Sequence, residues 1–227
     1  MNGEASLAAR YDEIKMRVLK APGAVPAIIA VSKVQPISAI EELYRLGHRD
    51  FGENYVQELV RKAVEMADRG YSGIRWHMIG HLQTNKVKLL IPHVYCVHTI
   101  DSEKLALELA KRWKSSSRPG RLPVFIEVNI DDEAGKSGVR PGSTAELAAK
   151  VAAIADLELQ GLMCIPDPEH HQDSESDPFR RLRELELTCR PWSKGGLSMG
   201  MSDDFEKAIR AGATHIRVGT ALFGARR

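Results

Sequence analysis

A closed (β/α)8 barrel, the TIM barrel in a single domain, is the α/β fold this sequence predicts, on three observations. Eight short apolar runs alternate strictly with helical patterns along 227 residues. Such alternation implies parallel strand pairing with right-handed crossovers. The length suits one barrel, since this fold fills about 200–250 residues as a single unit. Two glycine-containing turns follow the seventh and eighth runs, where such barrels frequently bind phosphate. An open doubly wound sheet remains the alternative reading of the same alternation.

In chain order, an amphipathic helix is expected at 5–19, ahead of the barrel. Predicted strands follow at 27–32, 49–52, 75–80, 94–99, 122–130, 158–165, 197–201 and 215–219. Helical patterns lie between them at 38–46, 55–68, 83–90, 102–114, 143–155, 178–189 and 203–211. The first strand, Ala27-Ile28-Ile29-Ala30-Val31-Ser32, is apolar on both faces, as a buried parallel strand must be. It ends at Lys33, and Gln35-Pro36 starts a turn and a new helix. The serine-rich stretch at 115–120 reads as a helix-to-strand loop, and 167–177 as a polar surface loop. No linker, repeat or low-complexity segment divides the chain, so 1–227 is read as one domain.

Composition excludes several classes. A hydrophobic content of 43% with 27% charged residues is ordinary for a globular chain that buries a full core. A net charge of +2 gives no bulk attraction to nucleic acid or anionic membrane. Cys96, Cys164 and Cys189 lie far apart, and the N-terminus carries neither an apolar leader nor a membrane-length segment. Cytoplasmic location in the reduced state is expected, and the absence of an apolar patch or heptad points to a monomer. Cys96 and Cys164 fall within strands, as small buried hydrophobes do. His77 and His81 are four apart but span a strand and a loop, so they lack the shared helical face of a metal pair. His170-His171, among Glu169 and Asp173, reads as a solvated acidic loop, and no metal is assigned.

Chemistry is expected at the carboxyl ends of the strands. Lys33 stands at such an end, and period-2 alternation places it on the face of Ile29 and Val31. An amine held in a pocket there loses basicity by desolvation and becomes nucleophilic toward aldehydes. The plainer reading is a lysine that snorkels into water. At the other end of the chain, Ser198-Met199-Gly200-Met201-Ser202-Asp203-Asp204 and His215-Ile216-Arg217-Val218-Gly219-Thr220 each break from strand into turn. Glycine admits an anion close to the backbone, and hydroxyl and N–H groups donate to it. Side by side, two such turns hold a phosphate. Taken singly, the first is also an ordinary strand-to-helix turn, with Ser202 or Asp203 as N-cap and Glu206 in support.

Five motifs occur in order: Ala30-Val31-Ser32-Lys33; Phe51-Gly52-Glu53-Asn54-Tyr55-Val56-Gln57-Glu58; Trp76-His77-Met78-Ile79-Gly80-His81-Leu82-Gln83-Thr84-Asn85-Lys86; Lys136-Ser137-Gly138; and the Ser198 to Asp204 run. Together they resemble the pyridoxal 5'-phosphate (PLP) homeostasis proteins, the YggS/PROSC family, similar to the N-terminal barrel of alanine racemase. The resemblance covers essentially the whole chain. It implies a barrel that carries PLP as an internal aldimine on Lys33. The phosphate would be held by the turn containing Ser198, Met201 and Ser202 and by Gly219 and Thr220. Arg217 would face the pyridine nitrogen, and Asn54 would line the pocket. His81 stands where the family often has proline, and Gln35 where it often has a second lysine.

An arginine cannot give up its proton, so a ring nitrogen facing Arg217 must accept and stay unprotonated. Such a ring is a weak electron sink. Racemization needs acid/base groups on both faces of the substrate carbon. In the two-domain racemases the second group comes from a following domain, for which this chain, ending at Arg227, leaves no room. A carrier, buffer or regulator of PLP, with apo PLP-dependent enzymes as possible recipients, is therefore expected over an enzyme. Still open are a single-domain PLP racemase or lyase using a tyrosine such as Tyr55, a PLP-independent aldolase that attacks a sugar phosphate through Lys33, and an interaction scaffold.

Overall fold

The computed structural model describes residues 5–167 and 177–224, and within them the chain closes into one eight-stranded parallel barrel. Helix α1 (Leu7–Lys20) precedes it, capped by the Ser6 hydroxyl, which accepts from the Ala9 N–H. Then follow β1 (Ala27–Val31), α2 (Ile37–Arg45), β2 (Asp50–Glu53), α3 (Val56–Asp68), β3 (Arg75–Met78), α4 (Val87–Leu90) and β4 (Val94–Ile100). The second half runs α5 (Glu103–Ser115), β5 (Leu122–Glu127), α6 (Thr144–Ala152), β6 (Leu157–Met163), α7 (Pro178–Cys189), β7 (Gly196–Ser198), α8 (Phe205–Arg210), β8 (His215–Val218) and α9 (Thr220–Phe223). Each strand pairs with the next, and β1 pairs with β8, which closes the sheet and rules out the open alternative.

Element order matches the sequence reading, and boundaries differ for identifiable reasons. Residues 83–90 form a 3-10 turn (Thr84–Lys86) followed by one α-turn rather than a continuous helix. The strand predicted at 122–130 ends at Glu127, after which Val128 donates to the Met163 carbonyl and forms an isolated bridge to Val139. The strand predicted at 197–201 stops at Ser198 because Gly200 adopts φ +90, and a Cβ there would lie 2.5 Å from that of Ala208. The short α9 falls where the sequence showed only a turn. The loop containing Glu169, His170, His171 and Asp173 lies outside the described residues.

Two apolar layers result. The larger lies between sheet and helices, around Phe51, Leu59, Val97, Ile126, Phe179 and Ile216. A second, small cluster of Cys96, Phe125 and Met163 sits apart from it. Gly52 permits close packing beside this lumen, since a Cβ there would lie 2.8 Å from both Ile29 and Ile79. Polar side chains share the barrel interior with them: His77, His98, Ser198 and Arg217 are all buried. Among the described residues no helix is long and apolar enough to cross a membrane.

Candidate functional site

At the carboxyl rim, a cavity of about 280 Å³ is lined by Val31, Lys33 and Gln35 on one side and by Met201, Ser202, Asp203, Arg217, Gly219, Thr220 and Gly224 on the other. Six of the eight residues singled out from the sequence converge here: Lys33, Met201, Ser202, Arg217, Gly219 and Thr220. Two do not. Asn54 lines a neighbouring cavity with Tyr55, Gly80, His81 and Lys86. Ser198 is fully buried below the rim, where its hydroxyl accepts from Arg217 Nη1 at 2.8 Å and meets His98 Nδ1 at 2.9 Å. These two partners place the Ser198 hydroxyl in the lumen, where it holds Arg217 rather than lining the cavity.

Lys33 lies two residues beyond the end of β1, in a turn whose backbone is fixed on both sides. The Ser32 hydroxyl donates to Glu53 Oε1 at 2.6 Å, and the Val34 N–H donates to Glu58 Oε1 at 2.7 Å. Lys62, fully buried, joins the two anchors. Its ammonium donates to the Ser32 carbonyl at 2.5 Å, to Glu53 Oε1 at 2.8 Å and to Glu58 Oε1 at 2.8 Å. Three donors thus meet three acceptors, as a buried ammonium requires. Glu53 Oε2 has no partner among the described residues, and burial pushes this carboxyl above its ordinary range despite the pull of Lys62. The turn holds Val34 at φ +60, a left-handed conformation rarely adopted by a β-branched residue.

On the opposite side, one hydroxyl ties the two turns together. Ser202 Oγ accepts from the Gly219 N–H at 3.2 Å and from the Ala221 N–H at 3.1 Å. The N-cap position of the helix after the first turn is Asp204, not Ser202 or Asp203; its side chain makes no capping bond, and its Oδ1 accepts from the upstream Met201 N–H at 2.6 Å. Among the described residues no hydrogen bond engages the backbone N–H of Ser202, Asp203 or Thr220. The cavity thus offers spare N–H donors, the Thr220 hydroxyl, an amine and a guanidinium, a donor set suited to a phosphorylated ligand. Arg217 also donates from Nη2 to the Cys164 carbonyl at 2.8 Å, and no carboxylate of the described residues pairs with it. Burial lowers its pKa without removing the charge.

Sequence reasoning missed the residues that support the site. Lys62 left a signal, since it interrupts the apolar face of α3 formed by Leu59, Ala63 and Met66. His77 does not pair with the exposed His81 but turns inward, its Nδ1 3.0 Å from His98 Nε2. Cys96, Cys164 and Cys189 are free and buried, and burial raises the Cys164 thiol to about 12.

Residues 4–227 match the alanine racemase N-terminal domain family. The pyridoxal phosphate homeostasis protein of Pseudomonas aeruginosa is 43% identical over 225 residues, covering 98% of this chain and 94% of the relative. The chain belongs to the pyridoxal phosphate homeostasis proteins. Another member, from Escherichia coli K12, is 45% identical over 204 residues, covering 88% of this chain and 85% of that protein. PipY of Synechococcus elongatus, solved with PLP bound, superposes with a TM-score of 0.83 at 30% identity, covering 96% of this chain and all of PipY. Alanine racemase of Corynebacterium glutamicum, with a TM-score of 0.72 at 14% identity and 61% of its length covered, shares the barrel. Homeostasis proteins of this family thus share one barrel with enzymes.

Proposed function

We propose that this protein binds PLP in the rim cavity, covalently through the Lys33 amine, and serves intracellular PLP homeostasis as a cytoplasmic, monomeric carrier or buffer. The observation that carries this reading is the convergence of Lys33, the Ser202 and Thr220 turns and Arg217 on one cavity. It is supported by the PLP-bound PipY structure. When bound, PLP supplies an aldehyde that condenses with amines and a ring that withdraws electrons. The protein's own residues do the rest. The Ser202, Asp203 and Thr220 N–H groups and the Thr220 hydroxyl hold the phosphate, and Arg217 donates to the ring nitrogen and denies it a proton. The ionic cluster beneath the Lys33 turn fixes the attachment point. Asn54 lines a separate cavity with Tyr55 and His81, so the attachment and phosphate roles fall to the residues above. A ring kept unprotonated favours holding and releasing PLP over turning over amino acids, which the homeostasis names of the relatives also support.

Borohydride reduction of PLP-loaded protein followed by peptide mapping tests the attachment. The label is expected on Lys33, with loss of the reducible absorbance in Lys33→Ala. A principal label on Lys86 or Lys136 overturns the assignment. In parallel, loaded protein mixed with an apo PLP-enzyme should activate it, and incubation with common L-amino acids should yield no robust turnover. Rates of about 1 per second or faster would restore the racemase or lyase reading.

A further inference from the structure

The lumen below the cavity contains an uninterrupted series of hydrogen bonds contributed by five strands. Arg217 (β8) meets Ser198 (β7) at 2.8 Å, Ser198 meets His98 (β4) at 2.9 Å, His98 meets His77 (β3) at 3.0 Å, and His77 Nε2 meets Asp50 Oδ1 (β2) at 3.0 Å. Arg75 closes the far end with a two-pronged ion pair to Asp50. The two ends of the series fix its direction. Arginine has no acceptor, so Ser198 Oγ must accept from it. An ionised carboxylate has no donor, so the nitrogen facing Asp50 must carry a hydrogen. Asp50 is ionised, because Arg75 and His77 hold it well below the ordinary carboxylate range. With one proton per neutral ring, one assignment satisfies every link. His77 donates from Nε2 to Asp50 and accepts at Nδ1. His98 donates from Nε2 to His77 and accepts at Nδ1 from the Ser198 hydroxyl. The reverse assignment would leave the bare His77 Nε2 lone pair facing the carboxylate.

We infer that Asp50, His77 and His98 are positioning residues for Arg217: a one-directional hydrogen-bond column through the barrel that holds its guanidinium against the cavity as a fixed donor. The column ends on a group that cannot accept a proton, so no proton reaches the cavity from the barrel floor along it. Phe125 stacks on His98 with ring centroids 4.6 Å apart, and His215 approaches edge-on at 5.8 Å. Burial and the neighbouring charges of Arg75 and Arg217 keep both rings of the column neutral, whereas Asp50 pulls the other way on His77. The Cys96 Sγ lies within 4.8 Å of ligand nitrogens on both rings, so a bound metal is the competing use of the same residues.

The test begins in the protein without added PLP, so that it stands apart from the proposed function on which the last link rests. Long-range proton–nitrogen correlation of histidine-labelled protein at pH 7, assigned with His77→Gln and His98→Gln, should show an unprotonated Nδ1 and a protonated Nε2 on both rings. Asp50→Asn can donate to His77, and at least one ring should then gain Nδ1–H while circular dichroism is unchanged. A protonated Nδ1 in the wild type overturns the column, as does an Asp50→Asn protein with both rings unaltered. Stoichiometric zinc uptake that removes the ring signature overturns it in favour of a metal site. In PLP-loaded protein, Ser198→Ala should shift the absorbance titration by about one pH unit, and an unchanged titration overturns the link to Arg217. A wild type that takes up no PLP defeats the proposed function and leaves the tautomer result standing.

Discussion

The β1–β2 wall of the cavity rests on a buried ionic cluster, whereas the β7–β8 wall offers backbone N–H groups and hydroxyls on two short turns. Lys62, Glu53 and Glu58 are taken out of water to hold the Lys33 turn, and they repay that desolvation only through near-complete hydrogen bonding. The turns opposite bury no charge of their own and depend on many small contacts, such as those of Ser202 with Gly219 and Ala221. The difference teaches where each kind of damage appears. Loss of one member of the ionic cluster should reach global stability, while loss of one turn donor should reach ligand affinity and little else.

The largest effect that sharpens this comparison is expected for Lys62→Met. Removing the ammonium leaves the buried Glu53 and the partly buried Glu58 without their shared cation, at a cost of about 3–5 kcal/mol. Urea unfolding should show it, and Lys62→Met combined with Glu53→Gln should recover part of the loss. If Lys62→Met unfolds at the wild-type midpoint, the wall does not depend on its ions.

Next comes Glu127 at the end of β5, outside both walls. Burial, aided by the Asp101 charge, raises this carboxyl to about 7, against the pull of Arg217, and its Oε2 has no partner among the described residues. The folded state therefore holds a proton that the unfolded chain releases above its ordinary pKa of about 4.5. Stability falls as pH rises from about 4.5 to about 7, by on the order of 3 kcal/mol, and is then constant with respect to this group. Glu127→Gln should remove that decline, read from urea midpoints at pH 5 and pH 8. A variant with the wild-type slope would place the pH dependence in the ionic wall instead.

The smallest effect belongs to the turns. Thr220→Ala should weaken PLP binding about tenfold, roughly 1.4 kcal/mol, with the unfolding midpoint unchanged. An affinity equal to the wild type by titration would move the phosphate away from this wall.

The same contrast explains what could be read in the sequence. Strand–helix alternation specified the barrel, because a strand buried on both faces is continuously apolar, as Ile28 to Val31 are. The turn wall was legible because glycine and hydroxyl residues act locally, within a few positions of one another. Lys62 was legible only in part: it breaks the apolar face of α3 four residues after Glu58, but its other partners lie 9 and 30 residues away and only the folded barrel brings them together. Ser198 was placed in the cavity because it belongs to the motif, although its hydroxyl is taken up by Arg217 and His98 inside the lumen. The inward histidines of β3 and β4 were likewise hidden, since no local pattern tells a lumen position from a helix-facing one in a strand buried on both sides.

Val34, adjacent to Lys33 and 63% exposed, packs little yet is kept in a left-handed backbone state. A conformation of that kind costs of order 1–3 kcal/mol and persists only where its surroundings enforce it. The protein therefore forgoes thermostability at the residue beside its reactive amine. A designer seeking a hardier protein would choose glycine at position 34 first, since it accepts that conformation freely. The gain would come with a slacker joint under Lys33, so heat resistance and the aim of the amine would trade against each other at a single surface residue.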